Sequence, residues 1–134
     1  PEIAVNGATL YSEAAEEAGH NSRIGQNIGL ARLVYIGKTR EQALQRAHDG
    51  NIFLFSQFHA KFAPEIPTTV EPLIEAGIAF VGTIDDVKQQ VYEVKEKLDP
   101  DWFMLLSDQG FLPRDEIKEQ MDLFGQTIIP EFCD

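Results

Sequence analysis

The sequence predicts an α/β fold whose sheet is too small to stand by itself. Three observations carry that prediction. Two apolar runs, Ile28–Ile36 and Trp102–Leu106, have strand character, helical periodicity occupies most of the remaining chain, and a long, mainly helical stretch separates the two runs. Strands apolar on both sides need cover on both sides, and two of them cannot bury themselves that way. The chain is therefore expected to want neighbours that it does not contain. Pro1 opens the sequence with no Met before it, which adds the expectation of processing, cleavage or excision upstream.

From Ala8 to Ala18 the residues Leu10, Ala14, Ala15 and Ala18 recur at helical spacing, with Glu13, Glu16 and Glu17 on the wet side. Gly19 suits the left-handed residue that closes a helix. The polar stretch His20–Gln26 reads as a loop, and the buried strand Ile28–Ile36 follows and ends at Gly37. Thr39 with Gln42 three residues on is a capping-box pattern, and Ala43, Leu44 and Ala47 form the buried stripe of the helix it opens. Gly50 is expected to interrupt that helix. Ile52–Phe62 then holds Phe53, Phe55, Phe58 and Phe62 with His59 and Lys61, and leads into Ala63-Pro64-Glu65-Ile66-Pro67. Prolines so close to an apolar segment predict an excursion over about 50–76, which closes with a short helix from Val70 to Ala76.

Phe80-Val81-Gly82-Thr83 reads as the approach to a helix capped by Thr83, with Val87, Val91, Val94 and Leu98 on its buried face. Asp85 and Asp86 in its first turn, with Lys95 and Lys97 near its last, match the helix macrodipole. Trp102–Leu106 is the second strand and runs into Ser107-Asp108-Gln109-Gly110. Pro113 is placed at the first position of a last helix, with Ile117, Met121, Phe124 and Ile128 on one face, and Pro130 is expected to halt it.

The 134 residues are 43% hydrophobic and 25% charged, ordinary for a globular chain and well away from disorder. A formal charge of −11 repels phosphate backbones and anionic lipid heads, so nucleic-acid and membrane-surface partners are not expected. The single Cys133 allows neither an internal disulfide nor a cysteine metal cluster, and His20 and His48 lack ligand spacing, so no metal is expected. No window is long and apolar enough to cross a bilayer, and a reducing cytoplasm fits.

Three phrases resemble the C-terminal part of the luciferase-like, flavin-dependent monooxygenase family. They are Ala31-Arg32-Leu33-Val34-Tyr35-Ile36-Gly37-Lys38-Thr39-Arg40-Glu41-Gln42-Ala43, then Phe80-Val81-Gly82-Thr83-Ile84-Asp85-Asp86-Val87, and finally Asp101-Trp102-Phe103-Met104-Leu105-Leu106 with Leu123-Phe124-Gly125-Gln126-Thr127-Ile128-Ile129-Pro130-Glu131-Phe132. Their order and spacing cover nearly the whole chain. Ile84 departs from the proline that the family often has there. The resemblance implies that residues 1–134 are the C-terminal portion of a single (β/α)₈ TIM barrel, with the two strands as its seventh and eighth. The earlier strands, which supply most flavin contacts in that family, have no counterpart in this sequence.

Barrel enzymes of this kind do their chemistry at the carboxyl ends of the strands. Phe53, Phe55, Phe58 and Phe62 would then suit a mobile lid that excludes water from an apolar substrate, although aromatic residues usually pack and the core of a helix hairpin is the favoured alternative. His59 is a candidate proton donor or acceptor and Asp108 a candidate by position; against them stand a structural histidine and ordinary turn chemistry. Gly82-Thr83 could hold an anion at a helix start, with N-capping by Thr83 as the favoured reading, while Lys38 and Arg40 either steer a phosphate or simply solvate a helix start. No glycine-rich nucleotide motif is present.

The family likeness further implies reduced FMN supplied by a flavin reductase, a small apolar organic substrate, the remainder of the barrel polypeptide as partner, a homo-oligomeric parent, and an isolated chain without activity. Two alternatives stay open: a relative using the deazaflavin F420, and a non-catalytic flavin-binding or interaction module.

Overall fold

The computed structural model describes residues 2–54, 58, 60–62, 67–107 and 110–132. Along the chain lie α1 (Glu2–Glu17), β1 (Gly29–Ile36), α2 (Arg40–Leu54), the single turn α3 (Ala60–Phe62), α4 (Val70–Glu75), β2 (Ala79–Gly82), α5 (Ile84–Leu98), β3 (Trp102–Leu106), α6 (Arg114–Thr127) and the short α7 (Ile129–Phe132). The sheet therefore has three strands where the sequence reading has two. Ala79–Gly82 becomes a strand because it pairs in parallel with β1, from Leu33↔Ala79 to Ile36↔Gly82. Four residues are too few to show a period of two, and tertiary pairing decides their state.

The strand order is β2-β1-β3, with both pairings parallel. Period-two alternation splits β1 between two cores. Leu33 and Tyr35 join Ala79, Val81, Ala43, Ala47, Val70 and Leu73 under α2 and α4. Leu30, Val34 and Ile36 join Phe80, the valine stripe of α5 and Ile128 on the opposite face. β1 and β2 are thus covered by helices on both sides, with α2 and α4 over one face and α5 over the other. In a (β/α)₈ barrel successive strands are neighbours and the helices ring the outside. β1 and β3 are parallel neighbours here, but β2 comes between them in sequence and outside them in space, so their assignment as consecutive seventh and eighth strands does not follow.

Several helix details differ from the sequence reading. α1 begins six residues before Ala8, and it turns Ala8 and Ser12 inward while Leu10, Ala14 and Ala18 face solvent. The partners that choose its buried face, Ala4 and Val5 beside Ala8, lie ahead of the expected start. Gly19, at φ +86°, closes α1 as expected, with the N–H of His20 donating to Ala15 O at 2.9 Å. Gly50 does not interrupt α2, because a Cβ there would sit 2.7 Å from Cε1 of Tyr35, and the glycine lets the helix lie on that ring. In α6 Ile117, Phe124 and Ile128 pack inward as expected, but Met121 is exposed and Gln120 takes the buried place between them. Pro113 is the N-cap rather than the first helical residue, and Pro130 lies inside α7.

Candidate functional site

Parallel strands bring their carboxyl ends to one side, and this edge, with Ile36-Gly37-Lys38, Gly82-Thr83 and Leu106-Ser107, is where a site is expected. One part of it is a cluster that seals the end of β1. β1 continues through Val34, Tyr35 and Ile36 past its last pair with β3, Leu33↔Leu106, so Ile36 needs partners that the ladder does not supply. Two side chains provide them. The Ile36 N–H donates to Gln120 Oε1 at 2.9 Å, and Arg46 Nη1 donates to Ile36 O at 2.6 Å.

Arg46 is only 4% exposed, and a buried guanidinium must be paired. Its Nε meets Glu116 at 3.1 Å and its Nη2 meets Glu119 at 2.5 Å, while Lys38 Nζ adds a 3.4 Å contact to Glu119. These cations, Arg46 first, hold the Glu119 carboxyl below its usual range. Cluster charge is balanced, two cations against two carboxylates, and it ties α2 to α6 across the strand end.

A second cluster sits at the start of α5. The Thr83 Oγ1 and Asp86 carboxylate form a reciprocal capping box, with the Asp86 N–H donating to Thr83 Oγ1 and the Thr83 N–H donating to Asp86 Oδ2. Arg40 grips the same carboxylate through Nε at 2.9 Å and Nη2 at 2.6 Å. Arg40, and then Thr83, hold the Asp86 carboxyl well below the usual carboxylate range, against a desolvation that pushes the other way. Gly82, at φ +152°, makes room, since a Cβ on it would lie 2.5 Å from Asp86 Cβ. The helix start is thus filled by the chain's own carboxylate.

This settles how the sequence candidates are placed. Thr83 caps its helix, and Lys38 and Arg40 each pair with a carboxylate, Glu119 and Asp86. His48 pairs with Glu71 at 3.0 Å, which joins α2 to α4. Phe58 and Phe62 are 61% and 80% exposed. Phe55, His59 and Asp108 lie outside the described residues, as does the side chain of Phe53. Among the described residues no group of three or more His, Cys, Asp or Glu could hold a metal ion, and no helix is long and apolar enough to cross a membrane. Sequence reasoning missed Arg46 and Gln120, and also Arg32, which is buried with Nε unpartnered and Nη1 on Ala31 O. Burial pulls the Arg32 pKa down to about 10. A polar residue inside an apolar stripe, as Gln120 is between Ile117 and Phe124, was the available signal.

An apolar cavity of about 210 Å³ adjoins the first cluster, lined by Val34, Leu105, Ser107, Gln120 and Phe124, with Met121 and Gly125 at its edge. A longer groove of about 350 Å³ runs beside β3 between α5 and α7. The cavity has no cation in its described lining, the groove has Lys95 near Asp99, and the described residues make no phosphate cradle. They do not by themselves fit a flavin nucleotide.

No protein-family model matches the sequence, and no curated protein matches it. Solved structures do match in fold. One is the monooxygenase RslO1 from Streptomyces bottropensis, at 22% identity and a TM-score of 0.71, over 98% of this chain and 39% of that one. Another is the oxygenating constituent of 3,6-diketocamphane monooxygenase from the CAM plasmid of Pseudomonas putida, a type II Baeyer-Villiger monooxygenase in complex with FMN, at 19% identity and a TM-score of 0.68, over 96% of this chain and 39% of that one. The chain thus spans about two-fifths of each, and at these identities the likeness is one of fold.

Proposed function

We propose that this chain is the C-terminal portion of a flavin-dependent monooxygenase that oxygenates a small apolar organic substrate with reduced flavin and molecular oxygen. The observation that carries the reading is the fold match: nearly the whole chain superposes on the same fraction, 39%, of two monooxygenases, one of them an FMN complex. The order of the three sequence phrases points the same way. Because the described residues hold no flavin cradle, the principal FMN contacts belong to polypeptide outside this chain, which completes the barrel. This chain contributes a closing wall, and residues 50–76, with Phe58 and Phe62 exposed, contribute the lid. A reductase supplies the reduced FMN, the parent is a cytoplasmic homo-oligomer, and the chain alone is inactive.

The test is oxygen consumption by the full-length protein given reduced FMN and an apolar substrate. Substrate-dependent uptake is expected, and failure to bind any flavin would overturn the reading. Hydride transfer with F420 and no oxygen uptake would move the assignment to the deazaflavin relatives. A second reading, a non-catalytic module, draws on the engagement of Lys38 and Arg40 by carboxylates. Flavin binding without turnover would select it.

A further inference from the structure

Among the described residues two arginines are buried, and only one of them meets a carboxylate. Arg46 has Glu116 and Glu119, whereas Arg32, 7% exposed, has no acidic partner among the described residues. Its Nη1 donates to Ala31 O at 2.7 Å, its Nε is enclosed without an acceptor, and its Nη2 is also unbonded but is not sealed off. Burial pulls the Arg32 pKa down, and no carboxylate acts against that pull. A buried guanidinium in this state is costly until it is paired. The backbone is incomplete at the same place. Successive residues of β1 turn their polar groups to opposite sides: Ile28 O accepts from Trp102 on the β3 side, and Leu33 N–H donates to Ile78 O on the β2 side. Gly29 and Ala31 share the parity of Leu33 and face the β2 side, yet β2 begins opposite Leu33. Both residues are exposed, and the Ala31 carbonyl is held only by the guanidinium of its own neighbour.

We propose that the edge of β1 at Gly29–Ala31 receives an extended segment of the same polypeptide from outside residues 1–134, and that an Asp or Glu on this segment pairs with Arg32. A backbone N–H of the incoming segment takes Ala31 O and so releases Nη1. Nη1 and Nη2 are then free to hold a carboxylate by the two parallel hydrogen bonds that a guanidinium favours. The open ladder supplies main-chain pairing, as in strand addition at an exposed edge, and the buried cation selects an acidic segment. A free anion would answer the guanidinium but not the ladder, and the chain's charge of −11 disfavours it. The proposal rests on the reading above that further polypeptide completes the sheet, and not on what the protein catalyses.

The test uses the flavin-free full-length protein. Arg32→Lys keeps the charge and introduces an amine, which a zero-length carbodiimide joins to a carboxylate in contact with it. Peptide mass mapping is expected to show the introduced lysine linked to an Asp or Glu outside residues 1–134 of the same molecule, a link that the unsubstituted protein lacks. In the unsubstituted protein the Ala31 amide hydrogen should exchange at least about 100-fold more slowly than in an unstructured chain, as a ladder hydrogen bond requires. A link to a carboxylate within residues 1–134, a link between two copies, no link in folded Arg32→Lys protein, or Ala31 exchanging at the unstructured rate would each overturn the proposal. If Arg32→Lys does not fold, the exchange rate of Ala31 decides by itself. Neither measurement involves flavin or oxygen, so these outcomes stand apart from the success or failure of the monooxygenase reading.

Discussion

The two edges of the sheet make opposite use of apolar sequence. β2 is four residues long, Ala-Phe-Val-Gly, and every one is buried, with α2 and α4 over one face and α5 over the other. β3 is longer and more apolar, Trp-Phe-Met-Leu-Leu, yet Trp102 and Met104 are each 61% exposed and Leu106 is 40% exposed. Burial therefore follows cover rather than side-chain character. A parallel sheet is normally closed on both faces, and only the β2 edge meets that condition within this chain.

Substitutions can measure the asymmetry. The largest effect is expected at Phe80, which fills the core between β2 and α5 and touches the tilted ring of Phe103 at a centroid separation of 6.4 Å. Phe80→Ala should cost about 3–5 kcal/mol in chemical denaturation, the usual range for a fully buried aromatic. A loss under about 1 kcal/mol would mean that the β2 side is no better packed than the β3 side.

Between the edges, the seal at the end of β1 should come next. Arg46→Met keeps the volume but strips Ile36 O of a partner and leaves Glu116 and Glu119 facing each other. Both carboxylates retain access to water, so the expected loss is about 1–3 kcal/mol rather than the larger penalty of a fully buried orphan charge. Glu119→Gln should cost less than Arg46→Met, because Glu116 remains on the guanidinium. The reverse order would place the dominant contact on Glu119.

These residues also mark what could be read from the sequence and what could not. Strands Ile28–Ile36 and Trp102–Leu106 were legible as unbroken apolar runs, and the helix with Val87, Val91, Val94 and Leu98 by its helical period. β2 was not, since four residues become a strand only when β1 is beside them. The seal was hidden for the same reason, with Gln120 meeting Ile36 across 84 positions and Arg46 meeting Glu116 across 70. A charge in a helix stripe looks like a mistake until its distant partners are known. The Thr83 cap was legible because its partner is three residues away, but the second claim on Asp86, by Arg40, was not.

That cap predicts a smaller effect. Thr83→Ala removes the acceptor for the Asp86 N–H and should cost about 1 kcal/mol. The pH dependence of Asp86→Asn follows from the sign of its shift. The folded-state pKa is depressed, so the stabilisation is fully present above the unfolded value, about 4, and is lost as pH falls through the lower folded value. The stability gap between wild type and Asp86→Asn should stay constant from neutral pH to about 5 and narrow only below about 4. A gap that does not narrow as pH falls below about 4 would mean that Arg40 does not engage Asp86 in solution.

The smallest effect on stability is expected on the bare edge, and it gives the sharpest contrast. Met104 stands on the sheet face with Trp102 and Leu106, opposite Ala31, with water over it. Met104→Ser should change the unfolding free energy of the 134-residue chain by no more than about 0.5 kcal/mol, as for other exposed positions. The same substitution should act strongly on association, since an apolar edge strand with free N–H and C=O groups is a template for pairing. Sedimentation velocity on the wild-type chain is expected to show concentration-dependent self-association that Met104→Ser reduces. If the wild type is monomeric at all concentrations, the edge does not seek cover. If Met104→Ser costs several kcal/mol in a longer protein but nothing in this chain, the missing cover lies in the additional polypeptide, and the difference in cost measures how completely it buries β3.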